Sequence, residues 1–257
     1  MLSPFGEKLF ATHMRLKGNS AKMDIDTISV SLPSLGVMGA KGYLKSINDR
    51  KRLSAAMDIN GHAHDIRRII ACASGDTLNT VNGDSIGAEL RGNLGYSSGI
   101  AQADIIIATA EGEIKAKGVY EIAQERYDAK LTADSINIAS IMPSVPIGCI
   151  SLAMEADGRG TDIFSDSTSY RIALNVDTIR YGDIAAGNIS INASQANLIS
   201  KIIAEGNDPN LTFLIDADTK LHDNSIDNST DVKVTKADFG KMNIVNDNFA
   251  AELHMNM

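Results

Sequence analysis

Apolar residues recur in this chain with a period of two, the mark of a β-strand that buries one face and wets the other. In "YRIALNVDTI", Tyr170, Ile172, Leu174 and Val176 share one side, and Arg171, Ala173, Asn175 and Asp177 the other. "NISINAS" groups Ile189, Ile191 and Ala193, and "NLTFLIDADTKL" groups Leu211, Phe213, Ile215 and Ala217. "YDAKLTADSI" aligns Tyr127, Ala129, Leu131 and Ala133, and "FAAELHMNM" aligns Phe249, Ala251, Leu253, Met255 and Met257. Turn-forming groups separate these runs: "NGD", "SSG", "AEGE", "ADGRG", "YGD", "EGNDPN" and "HDNSIDNST". Strands this closely spaced form an antiparallel meander rather than βαβ units. Helical spacing is confined to "HDIRRIIACA", with Ile66, Ile69 and Ile70, and to "NIASIM". "SQANLISKIIAEG" fits either period; its strand neighbours favour a strand carrying Leu198, Ser200, Ile202 and Ala204.

A loose repeat overlies the alternation. Asp followed by Ser or Thr appears at Asp26, Asp76, Asp84, Asp134, Asp177 and Asp218. The intervals of about 41–50 residues suit a stacked array of quasi-equivalent β units. Residues 21–257 therefore read as one continuous β-repeat region, with 1–20 unassigned.

Composition narrows the function classes. The net charge of −8 and the lack of a basic patch with interleaved aromatics disfavour nucleic acid. No glycine loop follows a strand and opens a helix, so no nucleotide or other cofactor is expected. No run of about 18 apolar residues is present to span a bilayer. The first residues lack the apolar stretch of a signal peptide. The alternation also continues to the last residue, and both ends read as cut from something longer. Two cysteines, Cys72 and Cys149, are too few for a disulfide framework. They are expected as buried free thiols, or as one bridge in an oxidising compartment. Aromatic residues make up only 5%, with no Trp, while Met numbers 10. Burial must come from Ile, Leu, Val, Ala and flexible Met.

Three segments, "NGDSIGAELRGNLGYSSG", "YDAKLTADSINIASIMPSVPIGCISLAMEADGRGTD" and "YRIALNVDTIRYGDIAAGNISINAS", share a rhythm of strand, Asp-Ser/Thr-aliphatic stretch, apolar touch and strand. In this the chain resembles the AsmA/TamB-type family, the translocation-and-assembly-module proteins of bacterial envelopes. The likeness covers most of residues 20–257 and rests on pattern, since the family offers no invariant catalytic residue to match. It implies an all-β, elongated antiparallel array bent into a gutter, the β-taco, with an apolar inner face. It further implies a non-catalytic periplasmic segment of a Gram-negative cell, anchored to the inner membrane through a helix outside this chain. The implied roles are lipid transport and outer-membrane biogenesis. The implied partners are phospholipid or other acyl chains and an outer-membrane assembly protein. The candidate groove residues are Leu131, Ala133, Ile172, Leu174, Val176, Ile189, Ile191, Leu211, Phe213, Ile215, Phe249, Leu253 and Met255.

Sharper motifs have plainer explanations. Gly83-Asp84-Ser85-Ile86 spells the nucleophile signature of a large serine-hydrolase family, whose base comes from an Asp-x-x-His near the C-terminus. Here Asp218 precedes His222 at the wrong spacing, and Ala251 stands three residues before His254. The residues ahead of Ser85 are polar and turn-rich. Asn82-Gly83 instead reads as a hairpin turn, setting Ser85, Gly87 and Glu89 opposite Ile86, Ala88 and Leu90. His62, His64 and Asp65 make at most half a zinc site. The Asp/Asn-rich turns match no calcium loop, and the sequons at Asn188, Asn192, Asn210 and Asn228 are read as chance. Besides the groove, the alternative architecture is a β-sandwich or solenoid interaction module whose apolar face a second sheet seals. The hydrolase is a remote third.

Overall fold

The computed structural model describes residues 11–33, 35–74, 84–142, 144–222, 225–242, 244 and 250–256. The chain divides into two compact units, Met1–Val119 and Tyr120–Met257. The first contains β1 (Ala11–Gly18), β2 (Lys22–Leu32), β3 (Gly36–Lys45), β4 (Ser54–Ala63), helix α1 (Ile66–Ser74), β5 (Ala88–Ser97) and β6 (Ile100–Thr109). Strand β7 (Gly112–Glu121) runs across the division. The second contains β8 (Arg126–Asn137), helix α2 (Ile138–Ile141), β9 (Ile147–Arg159), β10 (Ser169–Tyr181) and β11 (Ile184–Ala196). Its last strands are β12 (Ile199–Asp208), β13 (Leu211–Leu221), β14 (Ile226–Asp238) and β15 (Ala250–Asn256).

The chain is all-β, and its strands are antiparallel. In the first unit β1 to β6 pair each with the next in sequence. In the second unit β8 to β15 do the same. Short turns make this possible. Asn197 and Leu198 take φ of 51° and 63°, the pair of positive values that a type I′ hairpin turn requires. The ambiguous "SQANLISKIIAEG" thus resolves into strand, turn and strand, with Leu198 in the turn and Ser200, Ile202 and Ala204 in β12. Ser98 and Gly99 do the same between β5 and β6, with φ of 51° and 85°.

Both helical expectations are met. Asp65 caps α1, its Oδ1 accepting the Arg67 amide at 3.1 Å. Asn137 caps α2, its Oδ1 accepting the Ser140 amide at 3.3 Å.

Several local expectations change. The Asp-Ser/Thr pairs, read as punctuation between strands, include three β-bulges. Register shifts at Asp26-Thr27 against β3, at Asp134-Ser135 against β9 and at Asp177 against β9. An extra residue bends the bulged strand and raises its local twist. "ADGRG" is not a turn up to its last residue, because β9 runs through Arg159. Strand β1 falls inside the unassigned N-terminal segment, where Met14 and Leu16 alternate with His13, Arg15 and Lys17. Asn82 and Gly83 lie outside the described residues. Beyond them, Ser85 to Gly87 precede β5 rather than belonging to it, and Ala88 pairs with Ala63 of β4. Cys149 is exposed rather than buried, and Cys72 falls within α1.

Candidate apolar groove

In an antiparallel ladder, residues directly opposite one another share a face. The registers of the second unit therefore assemble continuous rows. One row runs Leu131, Met154, Leu174, Ile191, Ala204, Ile215, Val232 and Met255, across β8 to β15. The next runs Ala133, Leu152, Val176, Ile189, Gly206, Phe213, Val234 and Leu253. A third runs Ala129, Ala156, Ile172, Ala193, Ile202 and Ala217 before meeting Thr230. Every candidate groove residue among the described ones lies on this face. Leu211 sits beyond Phe213, opposite Ala237, and Phe249 lies outside the described residues.

Candidates picked strand by strand missed three of the eight residues in each of the first two rows and five of the six apolar ones in the third. Met154 and Leu152 were legible in the alternation of "SLAMEADGR", and Ile202 and Ala204 in "SKIIAEG".

The face is only partly covered. Ile136 at 1% exposure is the one fully buried side chain among the described residues. Val176, Ala204 and Ala237 are buried, but Ile202 and Leu253 are 42% and 53% exposed. Leu131, Leu174, Ile191 and Phe213 are half-buried. A sheet face this apolar in water needs another layer, a partner or a ligand.

The opposite face is charged and self-paired. Lys130 meets Glu155 at 2.6 Å, Arg171 meets Asp157 at 3.2 Å, and Lys201 lies 3.0 Å from Asp216 and 3.7 Å from Asp218. Hydrogen bonding to Glu155 and to Asp216 holds the Lys130 and Lys201 ammonium groups above their usual pKa. Such exposed pairs keep the outer face soluble and add little stability.

The first unit carries the same arrangement, which sequence reasoning did not single out. One row runs Met14, Ile28, Ala40, Ile59, Gly92 and Ile105, and a second runs Val30, Met38, Gly61, Leu90 and Ile107. Here the face lines a half-open cavity of about 550 Å³, bordered by residues that include Ile28, Met38, Ile59, Leu90, Ile107 and, from α1, Ile69. That size lies within the range of about 300–1,000 Å³ typical of ligand sites.

Helix α1 closes one side of this cavity and is held by a buried pair. Arg67 Nη2 donates to Asp65 Oδ2 at 2.7 Å, and Nε donates to Oδ1 at 2.9 Å. Arg67 also reaches the Asp84 carbonyl, tying the helix to the approach to β5. Burial raises the Asp65 pKa, but the hydrogen bonds and charge of Arg67 outweigh it and hold the carboxyl below its usual value.

The tempting motifs are placed as follows. Ser85 is exposed, just ahead of β5. His62 Nδ1 lies 2.9 Å from Glu89 Oε1, and His222 Nε2 lies 3.1 Å from Asp227 Oδ2. Asp65 is engaged by Arg67 rather than turned to His62 or His64. Asp208 Oδ1 accepts the Asn210 amide at 2.8 Å, so the Asn/Asp chemistry of "EGNDPN" builds its own turn. No group of three metal-ligating side chains occurs among the described residues, and none of the described helices is long and apolar enough to cross a membrane.

No family model, no curated protein and no solved structure matches the chain.

Proposed function

We propose that this chain is a non-catalytic segment of a lipid-handling β-groove, whose apolar faces carry acyl chains. The observation that supports this reading is the set of continuous apolar rows in each unit, partly exposed in the second and lining a cavity beside α1 in the first. Such a surface offers area but no directional partner, which suits a flexible hydrocarbon and suits poorly a ligand that needs polar fixing. Met14, Met38 and Met154, which sit in the rows, adapt to irregular apolar cargo. A periplasmic setting, and a part in lipid transport or outer-membrane assembly, rest on the sequence resemblance alone.

The test uses the purified full chain with a photo-reactive residue at Leu174, on the apolar face, or at Asn175, its neighbour on the charged face. With long-chain phospholipid present, illumination should give lipid adducts at position 174 and few at 175. Equal or absent labelling at 174, together with no co-purifying lipid in native mass spectra, counts against the groove. It favours instead an interaction module whose apolar face another protein layer seals.

A further inference from the structure

We infer that residues 160–168, between β9 and β10, form a strap across one end of the second unit's apolar face, latched by Gln195, and that its opening gates the cargo. This deepens the groove proposal and rests on it.

Hairpins β10–β11, β11–β12 and β12–β13 turn in two residues each, whereas residues 160–168 join β9 to β10, as long a connection as the one that carries α2 between β8 and β9. Gln195 continues the series Ile189, Ile191 and Ala193, so its side chain points to the apolar side. It is nonetheless only 3% exposed, because the strap lies against it. Gln195 Nε2 donates to the Ile163 carbonyl at 2.7 Å, and Gln195 Oε1 accepts from Ser200 Oγ at 3.1 Å. The strap thus reaches past β10 to rest on β11.

Its internal order is its own. Asp162 Oδ1 accepts the Phe164 amide at 3.0 Å, and the Asp162 carbonyl accepts Thr168 Oγ1 at 2.7 Å. Its start is pinned where the Gly160 amide donates to Glu125 at 3.0 Å, with Gly160 at φ +74°. A unit ordered within itself and pinned at its root can pivot as one piece when the distant bond breaks. At its apex Ile163 and Phe164 are 46% and 54% exposed. They stand beside the end of the rows, where Tyr127, Tyr170, Gln195, Ser200, Thr219 and Asn228 replace aliphatic residues.

The experiment compares the unaltered protein with Gln195→Leu, which keeps the site filled but removes the latch, in a background with Cys72 and Cys149 replaced by serine. Nitroxide labels at Phe164→Cys and Glu205→Cys report strap position by pulsed electron spin resonance. Release of a bound fluorescent polyene fatty acid reports gating. Loss of the latch should displace or broaden the label distance and speed release about tenfold, the scale expected for one buried hydrogen bond. An unchanged distance overturns the latch, and a moved strap with an unchanged release rate overturns the gate. If the unaltered protein binds no fatty acid, the groove and the gate both fail, while the label distances still decide the latch. Should Gln195→Leu not fold, Ser200→Ala serves in its place, with a shift of the same kind and a few-fold faster release.

Discussion

At the scale of single residues, the most exacting position is the Asp65–Arg67 pair under α1. Both side chains are nearly inaccessible, at 6% and 8%. Removing one partner strands the other's charge in a poorly solvated place. Arg67→Met should therefore destabilise the first unit by about 3 kcal/mol, whereas replacing both by apolar residues should cost only about 1 kcal/mol, the loss of the α1 cap. Denaturant midpoints of the single and double variants check this, and equal losses in the two would refute it. The pair also sets an acid limit. Because the Asp65 carboxyl is held below its ordinary value in the folded chain, its contribution is fully present above the unfolded-state pKa. It is lost as pH falls through the lower folded value. Protection of the α1 amides against hydrogen exchange should be flat from pH 5 to 8 and weaken below about pH 4. Leu174 obeys a different logic. It is half-buried among Met154, Ile191 and its row neighbours. Leu174→Ala should cost only about 1 kcal/mol, while Leu174→Asp, setting a charge against apolar neighbours, should cost about 3 kcal/mol.

At the scale of strands and turns, backbone conformation can be separated from contact. Gly182 makes the β10–β11 turn at φ +57°, and a methyl group there would meet nothing within 4 Å. Gly182→Ala should cost only the left-handed penalty, about 1 kcal/mol. Gly36 opens β3 at φ +136°, and there a methyl group would collide with the His62 carbonyl of β4. Gly36→Ala should cost about 3 kcal/mol or more, with loss of the β3–β4 pairing. Similar losses at the two sites, read from thermal unfolding, would contradict this division. The strands themselves were legible in the sequence because each keeps one wet face, so Arg171, Asn175 and Glu155 interrupt the apolar run at every second place. Helix α1 was legible through Ile66, Ile69 and Ile70. The bulges were not, because Asp134-Ser135 differs from a regular pair only through the single residue, Ser151, that faces it on β9. Nor was the latch, since Gln195 and Ile163 are 32 residues apart and no local pattern couples an inward amide to a distant carbonyl. The first unit's cavity was hidden for a related reason. Gly61 and Gly92 stand in the rows of that face, and glycine carries no apolar signal in a sequence.

At the scale of the whole chain, the scarcity of fully buried side chains among the described residues has a thermodynamic signature. Globular proteins gain about 12–15 cal/mol/K per residue in heat capacity on unfolding, chiefly because apolar surface becomes hydrated. For a chain of 257 residues that amounts to about 3–4 kcal/mol/K. Here much of the apolar face is already wet when folded, as Ile202, Leu253 and Met255 illustrate. Calorimetry, summed over both units because two compact bodies need not unfold together, should return a value clearly below that range. Acyl ligand should alter the result in a defined direction. A ligand that binds only the folded face stabilises it by mass action, about 2.7 kcal/mol at a hundredfold excess over its dissociation constant. It should also restore part of the missing heat capacity, since it covers the surface that the protein leaves open. The two measurements fail separately. An ordinary heat capacity without ligand would mean that the apolar rows are covered in solution. A low heat capacity that long-chain fatty acid leaves unmoved would mean that the rows are open but made for something other than lipid.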